Sequence, residues 1–161
     1  MANQIMTTTE KARYDEIAAS PGIIVLSNSV PIVTSIGTGW TKLIMTDTMQ
    51  IDESNGHMSW DNATNVGVIH ADGVYTIGIV MAAEFGNNVD AEFAIYINGV
   101  EGIPGAKPIY TGRGAGKPIS IMDRGTIRLS DGDTLEIYSK FSSAGDITVD
   151  FVNVSVKKEI L

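Results

Sequence analysis

GTIRLSDGDTLEIYSK, residues 125–140, sets the pattern that the neighbouring segments repeat. Ile127 and Leu129 alternate with Thr126 and Arg128, the alternation breaks at Asp131-Gly132-Asp133, and it resumes with Leu135 and Ile137 on either side of Glu136. Successive side chains of a strand point to opposite faces, so each half is a strand with one apolar face. The two halves together predict a β-hairpin. Gly132 can take a positive φ at no steric cost, and Ser130, Asp131 and Asp133 can bond the free backbone groups of a turn.

The same rhythm runs in both directions. Ala71-Asp72-Gly73 precedes VYTIGIVMAAEFG, a long strand with Tyr75, Ile77, Ile79 and Met81 on one face. Asn87-Asn88-Val89-Asp90 reverses the chain, and residues 92–97 return it to Asn98-Gly99, a strong two-residue turn signal. Shorter alternating segments surround Trp40 and Trp60 and cover 66–70, with turn clusters DESNG and DNATN between them. Residues 23–33, IIVLSNSVPIV, are too apolar for an exposed tail, and Pro31 predicts a sheet edge or a strand break. Residues 100–118 hold three of the five prolines and read as an irregular loop around a short strand at Ile109-Tyr110. In the last strand, ITVDFVNVSVKKEI, Ile147, Val149, Phe151, Val154 and Val156 are expected to face inward, and the change of spacing near Asn153 predicts a bulge. Eight to ten strands with no interior helix imply an all-β sandwich or jelly roll, closed by pairing of the first and last strands.

Length and charge narrow the classes further. A chain of 161 residues suits one domain able to bury a core without cross-links. A net charge of -8 opposes binding to nucleic acid or to anionic membrane, because both need cations to neutralise phosphates. With no cysteine, disulfides, thiol chemistry and the usual zinc sites are excluded. The first residues show neither a basic-then-apolar leader nor a membrane-spanning run, so neither secretion by a signal peptide nor membrane insertion is expected. Thr7 with Glu10 forms a capping box, and Tyr14, Ile17 and Ala18 make a narrow apolar stripe, so the segment before Pro21-Gly22 can form a short helix that needs a partner surface.

The residues offer little for catalysis. His57 and His70 both stand beside turn residues and read as surface histidines. Asp123, Asp131 and Asp133 do not form the twelve-residue calcium loop, and turn chemistry accounts for the last two. Residues 112–117, GRGAGK, fail the phosphate-loop pattern, which needs glycine at Thr111 and a hydroxyl residue at Pro118. A mobile surface loop is the simpler reading. Tyr110, Arg113 and Lys117, with Lys107, make it a basic patch on an acidic protein, suited to an acidic partner or a neighbouring subunit. No catalytic residue, metal or cofactor is expected.

Trp40 with Lys42, the Gly73-to-Ile77 strand, the segment from Phe93 to the Asn98-Gly99 turn, and Leu129 followed by Ser130-Asp131-Gly132-Asp133 occur in the order found in a known family. In these features residues 30–161 resemble the C1q and tumour-necrosis-factor-like jelly roll. The resemblance implies a homotrimer with aromatic side chains on its axis, for which Tyr75, Phe93, Tyr96, Tyr138 and Phe141 are the candidates. A jelly-roll trimer preceded by an arm of residues 1–29, with Glu10, Tyr14 and Ile17 as docking residues, also resembles decoration, head-fibre and tail-associated proteins of bacterial viruses. The expectation is a non-enzymatic virion protein, assembled in the host cytoplasm and docked on a capsid or tail protein. The alternative is a receptor- or carbohydrate-binding head of a tail fibre, contacting a host-surface glycan through Tyr110, Arg113, Lys117 and Trp60.

Overall fold

Strand-forming residues with one apolar face must pair edge to edge and then cover that face, and the computed structural model meets both demands with two antiparallel sheets. It describes residues 23–28, 31–44, 48–53, 57–102, 109–117 and 119–159. Among these there is no helix.

Thirteen strands follow in order: β1 (Ile23–Asn28), β2 (Ile32–Ile36), β3 (Thr41–Lys42), β4 (Thr48–Glu53), β5 (Met58–Asp61), β6 (Val66–Ile69), β7 (Gly73–Glu84), β8 (Asp90–Ile97), β9 (Val100–Glu101), β10 (Ile109–Thr111), β11 (Ile119–Leu129), β12 (Thr134–Phe141) and β13 (Gly145–Lys158). The first sheet runs β11-β7-β13-β1-β4, with β2 also on β13. The second runs β10-β8-β12-β6-β5, with β3 on β12 and β9 on β8. First and last strands pair as expected: Ile23 stands opposite Lys157 and Ile32 opposite Val149. The line of pairing stops between β1 and β2 around Pro31, whose missing N–H cannot join a ladder. β1 lies between β13 and β4, so residues 23–28, expected to belong to the arm, are part of the first sheet.

The core is made of inward rows. Tyr75, Ile77, Ile79, Met81 and Ala83 from β7 and Ile147, Val149, Val152, Val154 and Val156 from β13 meet Ala91, Phe93, Ile95, Leu135, Ile137 and Phe141 from the second sheet, all nearly without solvent exposure. Trp60 joins them from β5, at 7% exposure, opposite Gly67. A Cβ on Gly67 would come within 3.0 Å of the indole, so glycine makes the space for that ring.

The segment 125–140 is not a hairpin. β11 pairs with β7 in the first sheet and β12 with β8, β6 and β3 in the second, so the DGD turn crosses the sandwich. The turns β7 to β8 and β12 to β13 cross in the same way. Alternation is satisfied either way, because an arch presents Leu129 and Leu135 to one interior from opposite sides. By contrast, Asn98-Gly99 closes a true hairpin, with Ile97 opposite Val100 and both turn residues at positive φ, 52° and 73°.

The bulge predicted near Asn153 falls three residues earlier. Val149 stands opposite Ala83 and Phe151 opposite Ala82, which leaves Asp150 as the extra residue. Parity therefore switches before Phe151, and this side chain points outward, 45% exposed, rather than into the core.

Turn residues pin the crossing at 130–133. Gly132 has φ +88°, the Ser130 N–H donates to Asp133 Oδ2 at 2.8 Å, Asn98 Nδ2 donates to Asp133 Oδ1 at 2.7 Å, and the Asp131 N–H donates to Asp72 Oδ1 at 2.8 Å. The bond from Ser130, with that from Asn98, holds the Asp133 carboxyl below its ordinary value of 3.8. A carboxyl lowered by folding stabilises the fold above its ordinary value and ceases to do so as pH falls through the lowered one. Asp133→Ala should cost about 1 kcal/mol at neutral pH. Urea unfolding should show the gap between wild type and variant closing once the pH is well below 3.8.

Candidate interaction surfaces

The surfaces that remain once the sandwich is closed include the outward face of each sheet and the ends where strands cross. On the first sheet, β7 turns Val74, Thr76, Gly78, Val80, Ala82 and Glu84 outward, and its neighbours β13 and β11 supply Asn153, Ser155, Thr126 and Arg124. One end of this face is polar, with Thr76 and Thr126 hydroxyls 3.2 Å apart. Toward the other end lie Val80, 43% exposed, Phe151, aligned with Ala82, and Val33, opposite Thr148. The bulge places Phe151 in this group.

The second sheet carries an aromatic cluster. Tyr96 and Tyr138 stack with ring centroids 4.1 Å apart, Trp40 meets Tyr96 edge-on at 6.0 Å, and Lys140 Nζ lies 5.0 Å from the Trp40 ring centre. Ion pairs Lys42–Glu136 at 2.9 Å and Lys140–Glu92 at 3.0 Å flank it. These two tyrosines, half-buried, are the members of the expected aromatic seam that reach the surface. Tyr75, Phe93 and Phe141 do not: each is at most 3% exposed within one protomer and has no surface for a neighbour. Tyr75 donates its hydroxyl to the Ala71 carbonyl at 2.7 Å, Phe93 packs edge-on to Tyr110, and Phe141 lies 5.2 Å from Phe85. Burial, then the nearby Asp72 charge, raises the Tyr75 phenol above its ordinary value. Trp60 is likewise a core residue and not an exposed contact.

At one end of the sandwich, residues 112–117 bridge from β10 in the second sheet to β11 in the first. Rather than a loose loop, this is a fastened one. The Gly112 N–H donates to the Val89 carbonyl, the Asn88 N–H to Gly112, the Gly114 N–H to Phe85, and the Gly116 N–H to Glu84 Oε2 at 2.6 Å. Gly114 and Gly116 sit at φ +89° and +70°. Arg113 and Lys117 are exposed, and with Tyr110, Asn87, Asn88 and Ser120 they line an open depression of about 860 Å³. The loop candidates from the sequence thus come together.

His57 and His70 flank the β5–β6 hairpin; His70 Nε2 lies 2.8 Å from Ser59 Oγ, and burial, then Lys158, lowers the His57 pKa. Among the described residues no group of three or more His, Cys, Asp or Glu could hold a metal ion. Glu10, Tyr14 and Ile17 lie outside the described residues.

With this geometry in hand, comparison with solved structures decides the fold. Eiger, a tumour necrosis factor from S. frugiperda, superposes with a TM-score of 0.59 at 12% identity, over 86% of this chain and 93% of that one. Murine APRIL superposes with 0.58 at 12% identity in its pH 5.0 structure, over 86% and 99%, and with 0.52 at 15% in its pH 8.0 structure, over 84% and 98%. This is a tumour-necrosis-factor-like jelly roll. No family model matches the sequence, and no curated protein does.

The outward group Val33, Val80 and Phe151 was not picked out from the sequence, although β7 carried a signal. It is apolar on both faces for much of its length, as strands covered on both sides are.

Gly112 fixes the loop. A Cβ there would collide with the Gly86 carbonyl oxygen and lie 2.7 Å from the Phe85 ring. Gly112→Ala should therefore destabilise by about 1–3 kcal/mol in chemical denaturation. Gly145→Ala, where a Cβ meets nothing, should stay within about 0.5 kcal/mol.

Proposed function

We propose that this jelly roll is a non-enzymatic, homotrimeric structural protein whose subunits meet through the outward face of the first sheet. The observation that supports this most is the exposure of Val33, Val80 and Phe151 on a sandwich whose described inward rows already pack against one another. Fully burying a Val or Phe side chain stabilises by roughly 1.5–3 kcal/mol. Threefold repetition multiplies that gain, and small neighbours such as Gly78 and Ala82 permit close approach of a second backbone. The half-buried Tyr96 and Tyr138 spend much of their ring surface on each other, so the seam belongs on the opposite sheet.

Within this class the reading is a capsid decoration or head-fibre protein of a bacterial virus, present in the virion and attached through residues ahead of Ile23. A trimeric knob fits such a role because three weak arm contacts add by avidity. The alternative, a receptor- or carbohydrate-binding head, is favoured by one observation, the cation-lined depression beside Arg113 and Lys117.

Light scattering at micromolar concentration should give three times the 17.2 kDa chain mass. Phe151→Glu should reduce it to a single chain mass while the far-ultraviolet spectrum keeps its strand signature. A wild-type mass of one chain would remove the proposal. A truncation beginning at Ile23 should stay trimeric yet fail to co-sediment with capsids, and undiminished co-sedimentation would remove the docking role of the arm.

A further inference from the structure

We infer that the depression at the crossing end is a binding site for a carboxylate-bearing sugar. Two cations, Arg113 and Lys117, line it, and none of its lining residues is acidic, although the chain carries a net charge of -8. Among the described residues neither side chain is paired with a carboxylate. The nearby carboxylates lie outside the lining and are held by neutral donors, not by the two cations: Asp90 Oδ1 accepts from the Thr111 hydroxyl at 2.6 Å, and Glu84 Oε2 accepts from the Gly116 N–H. Two cations side by side in a lining without a carboxylate attract an anion, and the planar guanidinium of Arg113 favours a carboxylate bound by two parallel hydrogen bonds.

The rest of the lining says what carries that carboxylate. A volume of about 860 Å³ is far more than an inorganic anion needs, and the other walls offer the amides of Asn87 and Asn88, the hydroxyl of Ser120 and the half-buried ring of Tyr110. Carboxamides and hydroxyls can exchange hydrogen bonds with vicinal ring hydroxyls, and an aromatic ring can cover an apolar sugar face. An acidic peptide would use the cations and leave these groups idle. The site is also pre-formed. The loop is bonded to the 84–89 turn through Gly112, Gly114 and Gly116, so little ordering cost falls on binding. All of these groups belong to one protomer. The site gives the carbohydrate-binding alternative a ligand class.

The test is calorimetric titration of the full chain with a galacturonate trisaccharide and with 3′-sialyllactose, against lactose as the neutral control. The expected result is binding of at least one acidic sugar, none of lactose, and weakening by about tenfold or more in each of Arg113→Ala and Lys117→Ala. Both positions are exposed, and retention of the wild-type unfolding midpoint shows that the variants are folded. Rising salt should weaken binding as well. No binding of either acidic sugar, affinity unchanged in both variants, or equal affinity for a glutamate hexapeptide would overturn the inference. A chain that binds the acidic sugar yet measures as a monomer would leave this inference standing and remove the trimer.

Discussion

Every strand of length in this protein has one face that must be hidden, and the chain hides it by sending successive strands to opposite sheets. β7 lies in the first sheet and β8 in the second; β11 returns to the first, β12 to the second, and β13 to the first again. Each crossing brings an inward row, such as Tyr75, Ile77, Ile79 and Met81, against a row from the partner sheet, such as Phe93, Ile95, Leu135 and Ile137. Hydrophobic burial then stabilises the two sheets only together. The long-range pairing of β1 and β2 with β13 follows, because the last strand enters a sheet whose free edge is the beginning of the chain.

That same constraint explains what could be read in the sequence and what could not. Alternation reports which residues share a face, and it identified the inward rows of β7 and β12 correctly. It does not report the partner strand. Residues 125–140 look alike whether the turn folds back within one sheet or arches over to the other, so the hairpin expectation failed; the turn lies where it was expected, but the strand before it starts at Ile119 rather than at residue 125. Asn98-Gly99 was legible because two successive positive φ values suit one kind of connection. Aromatic type was a poor guide to position: Tyr75, Phe93, Phe141 and Trp60 fill the interior, where their area is worth most, and Tyr96 and Tyr138 lie on the surface.

A one-residue insertion has the largest effect on the outer surface. Without the bulge at Asp150, the alternation beginning at Ile147 and Val149 would carry Phe151 into the core and turn Val152, Val154 and Val156 toward solvent. With it, three valines are buried and one phenylalanine is displayed beside Val80. The shift of spacing was visible in the sequence, but not its position, since Phe151 is as apolar as the residues around it.

The two ends of the sandwich differ for a related reason. Where β11 passes to β12, the turn is short and its polar groups are consumed by one another: Asp133 serves Ser130 and Asn98, and Asp72 serves Asp131. At the opposite end the β10-to-β11 connection must span both sheets. It does so on a glycine-rich backbone that places its own amides on Phe85, Val89 and Glu84. Because the main chain alone does the fastening, the two long side chains of the segment, Arg113 and Lys117, are not needed to hold it. A loop tied down by its backbone is the arrangement that leaves charged side chains at liberty while fixing where they start.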